Sequence, residues 1–208
     1  MRLRILTLNV WNTEGDPGRL RAINREIRRL APDVISFQEL VQTAEVRMLD
    51  TLLDGLDMQG THQADMQNEA PPFSAITELD ARHRRDLPTV IAGDFNANPD
   101  AASIRYLTGR QSLGGRSVLY HDAWAIAGEG PGYTWTVDNP KASAVVDQIV
   151  KQPGHRSRFD YVFVGSWDAH PKAHARVLDA KLAFDQPIDG IWASDHFGVI
   201  VDLEIGRA

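Results

Sequence analysis

The sequence predicts an α/β domain in which helices cover a sheet, and two features carry that expectation. Short apolar runs of strand length alternate with stretches whose apolar residues recur at intervals of three and four, so strand, helix and strand follow one another as in a βαβ-like unit. The strand runs also end repeatedly in acids or amides, at Asn9, at Gln38-Glu39 and at Asp94. At 208 residues the chain fits one domain with a sizeable core.

Residues 2–9 alternate, giving a strand that ends in the polar cluster Asn9, Trp11 and Asn12. Asp16-Pro17 has the chemistry of a helix start, a carboxylate N-cap followed by proline at the first helical position. Leu20, Ile23, Ile27 and Leu30 then line one helix face. Arg19, Arg21, Arg25, Arg28 and Arg29 are assigned to the other and read as a solvated face, the competing reading being a track for a phosphate backbone. Ala31-Pro32 ends this helix, and Val34-Ile35-Ser36-Phe37 forms the second strand. Thr43 is expected to cap a second helix with Val46, Leu49 and Leu53 inward. Residues 54–73 carry a weak signal, at most one short strand within 56–65 and then proline-containing linker chemistry; a helix resumes near Ser74, with Ile76 and Leu79 on its face.

Thr89 to Ala92 is an unbroken β-branched and apolar run between Pro88 and Gly93, expected as a strand covered on both faces. Asp94 and Asn96 project to one side if the chain stays extended, which would present a carboxylate and an amide together at the mouth of a sheet. Taken alone, Gly93-Asp94-Phe95-Asn96 is also ordinary turn chemistry. Asp100 is expected to cap a helix that contains Ile104 and Leu107 and ends at Gly109, and 121–127 to form a short helix. Strands are expected over 132–137, 159–164, 175–184 and 197–205; the polar connection 138–157 is long enough to be a candidate functional loop. Ser194-Asp195-His196 stands just before the last strand.

Composition narrows the chemistry. With 22 basic against 28 acidic residues the net charge is -6, so no protein-wide positive field draws in nucleic acid. The absence of cysteine excludes disulfides, thiolate metal sites and a cysteine nucleophile. The first residues lack an apolar run of signal-peptide length and no apolar run would cross a bilayer, so a cytoplasmic location is expected. Carboxylates, amides and a histidine at strand ends, without sulfur, suit a hard cation such as Mg²⁺ or Mn²⁺ together with a phosphate ester.

Five motifs, in order, resemble the endonuclease/exonuclease/phosphatase superfamily of DNase-I-like phosphoesterases: Leu6-Thr7-Leu8-Asn9-Val10-Trp11-Asn12, Phe37-Gln38-Glu39, Gly93-Asp94-Phe95-Asn96, Arg158-Phe159-Asp160-Tyr161-Val162-Phe163 and Ser194-Asp195-His196. The resemblance implies a four-layer α/β/β/α sandwich of two packed mixed sheets, with the site at one end. It implies that Glu39 is the principal metal ligand, with Asn9 and Asp195 near it, the metal being Mg²⁺ or Mn²⁺. Asp94 would activate or orient the attacking water and Asn96 would hold a phosphate oxygen. His196 would contact the scissile phosphate, with Asp160 fixing its tautomer. The implied partner is a phosphoester substrate: a nucleic acid, a nucleotide or a lipid headgroup. Tyr133, Trp135, Trp167 and Trp192 are candidate pocket walls for a base, sugar or headgroup, or simply core and rim residues.

The chain departs from the family pattern between Glu39 and Asp94, where several strands and two further site residues are expected and too few residues stand. His62 is either the family's histidine or a residue on an earlier strand, with an internal deletion following near 66–73; an ordinary surface histidine is the third reading. A shortened sheet would expose strand edges, which implies self-association and a second functional possibility, an impaired remnant that acts as a binding or interaction module.

Overall fold

The computed structural model describes residues 1–62, 88–165 and 173–207, so the expected deletion near 66–73, the helix near Ser74 and Trp167 lie outside the described residues. Along the chain run β1 (Arg2–Asn9), α1 (Arg19–Leu30), β2 (Val34–Gln38), α2 (Met48–Leu53), β3 (Val90–Asp94), α3 (Ala102–Leu107) and β4 (Tyr120–Asp122). Then come α4 (Ala123–Ala127), β5 (Trp135–Thr136), α5 (Pro140–Ile149), β6 (Arg156–Ser157), β7 (Asp160–Gly165), β8 (Ala173–Ala183) and β9 (Gly198–Arg207).

Two sheets face each other. The first has the order β2-β1-β9-β8, with β1 and β2 parallel and the other pairs antiparallel. The second, β3-β7-β4, is antiparallel throughout among the described residues, whereas two mixed sheets were expected. Period-two alternation sorts side chains between layers. On β1, Leu6 and Leu8 join Ile23 and Ile27 of α1 and Met48 and Leu52 of α2, while Ile5 faces Val162, Val164, Val199 and Val201 between the sheets. On β7, Tyr161 and Phe163 turn outward onto Ile104 and Leu107 of α3. Helix, sheet, sheet and helix therefore stack in four layers, as the motifs implied. β5 and β6 form a small separate ribbon.

Several local expectations are corrected. Helix α1 begins at Arg19 with Gly18 as its cap; the Asp16 carboxylate accepts the Gly18 amide at 2.7 Å in the turn that precedes the helix. Thr43 caps a tight turn, accepting from the Glu45 and Val46 amides, and α2 starts only at Met48; its buried residues are Met48 and Leu52 instead of Leu49 and Leu53. No strand forms within 56–62. β3 is half-buried; among the described residues it pairs only with β7 and lies at an edge. Asp100 does not cap α3, which follows Ala101 without a side-chain cap. Residues 121–127 divide into the end of β4 and α4, with the Asp122 carboxylate capping the helix. The aromatic strand shrinks to two residues, and the polar connection 138–157 holds the ten-residue α5, started by the Asn139 side chain and Pro140.

Candidate active site

Strand direction explains why residues far apart in sequence share one rim. β1, β2 and β3 end at Asn9, Gln38 and Asp94, whereas β7 and β9 run antiparallel to their neighbours and begin at that same end, near Asp160 and just after His196. Asn9, Glu39, Asp94, Asn96, Asp160, Asp195 and His196 are all delivered there.

Asn9 is the hub of the cluster. Its side-chain amide donates to Glu39 Oε1 at 3.0 Å and to Asp94 Oδ2 at 3.1 Å, and its own oxygen accepts the Trp11 amide at 2.8 Å. Asn12 reaches Glu39 Oε2 at 3.4 Å. Glu39 itself is exposed and has φ of 54°, so the chain turns sharply as it leaves β2 and lifts the carboxylate into the opening. Asn96, at φ 47°, turns back as well: its backbone amide donates to Asp94 Oδ1 at 2.8 Å and its side chain to Asp94 Oδ2 at 3.4 Å. The two residues lie together as expected, through an Asx-type turn instead of an extended chain.

Asp160 and Asp94 are opposite one another in the β3–β7 ladder, where like charges repel. His196 lies against both. Its Nδ1–H donates to Asp160 Oδ2 at 2.9 Å, since a carboxylate can only accept, and its Nε2 points toward Asp94 Oδ2 at 3.9 Å, beyond hydrogen-bond reach. Burial is the largest single influence on the imidazole and opposes its charge, yet the hydrogen bond to Asp160 and the charges of Asp160, Asp94 and Asp195 raise its pKa to about 9. Burial pushes the Asp160 carboxyl above the usual carboxylate range, and its Oδ1 has no hydrogen-bond partner among the described residues. Asp195 is also raised, first by burial and further by the charge of Glu39, against pulls from His196, Ser194 and Trp135.

Residues outside the expected set hold these groups in place. The Thr134 hydroxyl accepts the Phe159 and Asp160 amides at 3.0 and 3.2 Å, and its carbonyl accepts the Phe197 amide at 2.8 Å, which joins the two halves of the Asp-His pair. The Ser194 hydroxyl donates to Asp195 Oδ1 and accepts the His196 amide, while Asn139 donates to the Ser194 carbonyl at 3.0 Å. Arg19, assigned by its sequence neighbours to a solvated face, is 2% exposed. The signal that would have found it is its spacing: it stands four residues before Ile23 and eight before Ile27, on their stripe. Trp135 stacks on Phe159 and lies 6.4 Å from the His196 ring, so it walls the site; Trp192 stacks on Phe197.

His62 lies next to the chain that leaves β2, its Nε2 3.1 Å from the Leu40 carbonyl. It lines, with Ile35, Phe37, Glu39 and Leu49, a cavity of about 680 Å³ along β2. For a divalent cation the donor set fits. Glu39, Asp94 and Asp195 gather anionic oxygens against one imidazole, and a neutral amide bridges two of them, which leaves negative charge for a hard ion to balance. Asp94, Asp160 and His196 also bring potential ligand atoms within 4.8 Å of one another. Within that group Nδ1 of His196 is already committed to Asp160, so the oxygen-rich side at Glu39 is the better cradle. Among the described residues no helix is long and apolar enough to cross a membrane.

The model of the Endonuclease/Exonuclease/phosphatase family matches residues 6–196. No curated protein matches the chain by sequence. Among solved structures it is similar to D. rerio TDP2 complexed with single strand DNA product, with 17% identity and TM-score 0.65 over 98% of this chain and 99% of that one. Truncated Caenorhabditis elegans TDP2 aligns with 16% identity and TM-score 0.61 over 98% of both chains. An endonuclease/exonuclease/phosphatase from Bacteroides vulgatus aligns with 13% identity and TM-score 0.62 over 99% of this chain and 100% of that one.

Proposed function

Because this chain belongs to the Endonuclease/Exonuclease/phosphatase family, we propose that it is a divalent-metal-dependent phosphoesterase that hydrolyses a phosphodiester or a phosphomonoester. The observation that carries the reading is the Asp160–His196 pair at 2.9 Å with its free-facing Nε2 turned toward Asp94, beside the Asn9-bridged carboxylates of Glu39 and Asp94. Glu39 and Asp195 would hold Mg²⁺ or Mn²⁺, with Asn9 beside them orienting the Glu39 carboxylate through its side-chain amide; the ion would supply positive charge to the phosphoryl oxygens and the leaving group. Asp160 keeps the proton of His196 on Nδ1, so Nε2 is the atom that meets the scissile phosphate. Asp94 orients the attacking water, and the exposed Asn96 amide donates to a phosphate oxygen. The single-stranded DNA product named with the D. rerio TDP2 structure supports a phosphodiester substrate, while nucleotide and lipid-headgroup esters fit the same donor set.

The test is hydrolysis of bis(p-nitrophenyl) phosphate and p-nitrophenyl phosphate with Mg²⁺ or Mn²⁺ and with EDTA. Turnover that needs the metal and drops by about a hundredfold or more in both Glu39→Ala and His196→Ala is expected. Metal-independent turnover untouched by either substitution overturns the reading. A second reading, an impaired remnant that serves as an interaction module associating through a sheet edge, is favoured by β2, whose Val34 is 48% exposed at the end of the four-stranded sheet. Absence of metal-stimulated product together with a stable dimer would select it.

A further inference from the structure

We infer that Arg19 is a positioning residue: its buried guanidinium ties the loop after β1 to the segment that carries Asp195 and His196, and so keeps the two sides of the site in register. The inference rests on the phosphoesterase reading for what the site does, and on contacts alone for what Arg19 holds. Nε donates to the Glu14 carbonyl at 2.5 Å; Nη1 donates to Val10 at 2.5 Å and to Ala193 at 3.4 Å; Nη2 donates to Trp11 at 3.2 Å and to Asn12. All five N–H donors of a guanidinium thus meet backbone carbonyls. No ion pair to Arg19 is formed among the described residues, although Asp195 and Glu14 are the carboxylates whose charge acts on it.

A buried charge without a paired carboxylate is expensive, so an Arg at this position needs compensation. Two parts of the structure supply it. Trp11 and Asn12 adopt φ of 54° and 36°, an unusual pair of left-handed residues in a row that turns successive carbonyls toward one point. The acid cluster beyond them contributes a negative field. The consequences pass outward through bonds already described. Trp11 holds Asn9 through its amide, Asn9 holds Glu39 and Asp94, and Asn12 touches Glu39. On the other side, Ala193 immediately precedes Ser194-Asp195-His196. Lysine has the charge but only three donors on one atom, and cannot span both segments.

The experiment compares wild type, Arg19→Lys, Arg19→Met and, as a control on the same helix, Arg25→Lys, whose side chain is 51% exposed and pairs with Asp189. Amide hydrogen exchange is followed in metal-free protein alongside Mn²⁺ binding and steady-state kinetics. In Arg19→Lys, the Trp11 and His196 amides are expected to exchange about tenfold faster or more, while the Val162 and Val201 amides in the sheets keep wild-type rates. Mn²⁺ affinity is expected to fall by about tenfold and kcat by about a hundredfold with KM near wild type. Arg25→Lys should match wild type throughout. Wild-type exchange at Trp11 and His196 in Arg19→Lys overturns the inference, and so does a uniform rise across both sheets, which would mark Arg19 as a general stabiliser. If Arg19→Met fails to fold, Arg19→Lys alone decides. If the wild type lacks phosphoesterase activity, hydrogen exchange and Mn²⁺ binding still decide the role of Arg19 separately from the proposed reaction.

Discussion

At the residue scale the site is a competition between burial and charge. Asp160, 1% exposed and opposite Asp94 in the ladder, is anionic only at a desolvation cost that His196 offsets through Nδ1. That dependence makes the pair a single unit. Asp160→Asn keeps the size but replaces a charged, acceptor-only carboxylate with a neutral amide that can either accept from Nδ1 or donate to it, leaving either tautomer of His196 open. The expected outcome in steady-state kinetics is a kcat lower by about a hundredfold or more with little change in KM; a variant with wild-type kcat would remove Asp160 from the mechanism.

At the scale of elements, adjacent strands β1 and β9 bring both halves of the site to one rim, and an ion pair pins their register. Arg4 and Asp202 are directly opposed, and Arg4 grips the Asp202 carboxylate at 2.7 and 2.9 Å. The hydrogen bond from Arg4 is the main reason that the Asp202 pKa lies below its ordinary value. A depressed folded-state pKa contributes stability that is present above the unfolded carboxylate value and lost as pH falls through the folded one. Both side chains are partly exposed, at 42% and 32%, so solvent screening keeps the contribution small. Asp202→Asn is therefore expected to lower stability by about 1 kcal/mol or less at neutral pH, with the gap closing below about pH 4. Urea unfolding of both proteins across that range checks it; a gap that widens toward acid would show that Arg4 and Asp202 do not stabilise the fold by this route.

At the scale of the molecule, helices cover both outer faces of the sandwich, and among the described residues its margins are open. Among the described residues β2 and β3 each stand at the edge of a sheet, and the Ser36 hydroxyl links them by donating to the Ala92 carbonyl at 3.0 Å. An edge with an exposed Val34 is a template for pairing with another chain. Sedimentation velocity over a concentration series is expected to show self-association that Val34→Lys reduces, because a charge on an edge strand opposes pairing. A wild type that stays monomeric at the highest concentration would rule out the edge as an interface.

The sequence by itself determined the inventory and order of the chemistry. Asn9, Glu39, Asp94, Asp160 and His196 were legible as candidates because they stand in five motifs in family order, each at or beside a strand end. The four layers were legible too, through the family resemblance that the five motifs carry. What only the tertiary structure decided was neighbourhood. Asp94 meets Asn9 because parallel and antiparallel partners bring their ends to one rim, and α5 emerged from a polar stretch because the Asn139 side chain and Pro140 nucleate it. Arg19 reads as solvent-facing beside four other arginines, yet it is buried, because the loop after β1 and the approach to β9 fold over that end of α1 and offer it carbonyls. Spacing places Arg19 on the stripe of Ile23 and Ile27, but burial of its charge depends on which carbonyls pack against that stripe, and those come from segments distant in the sequence.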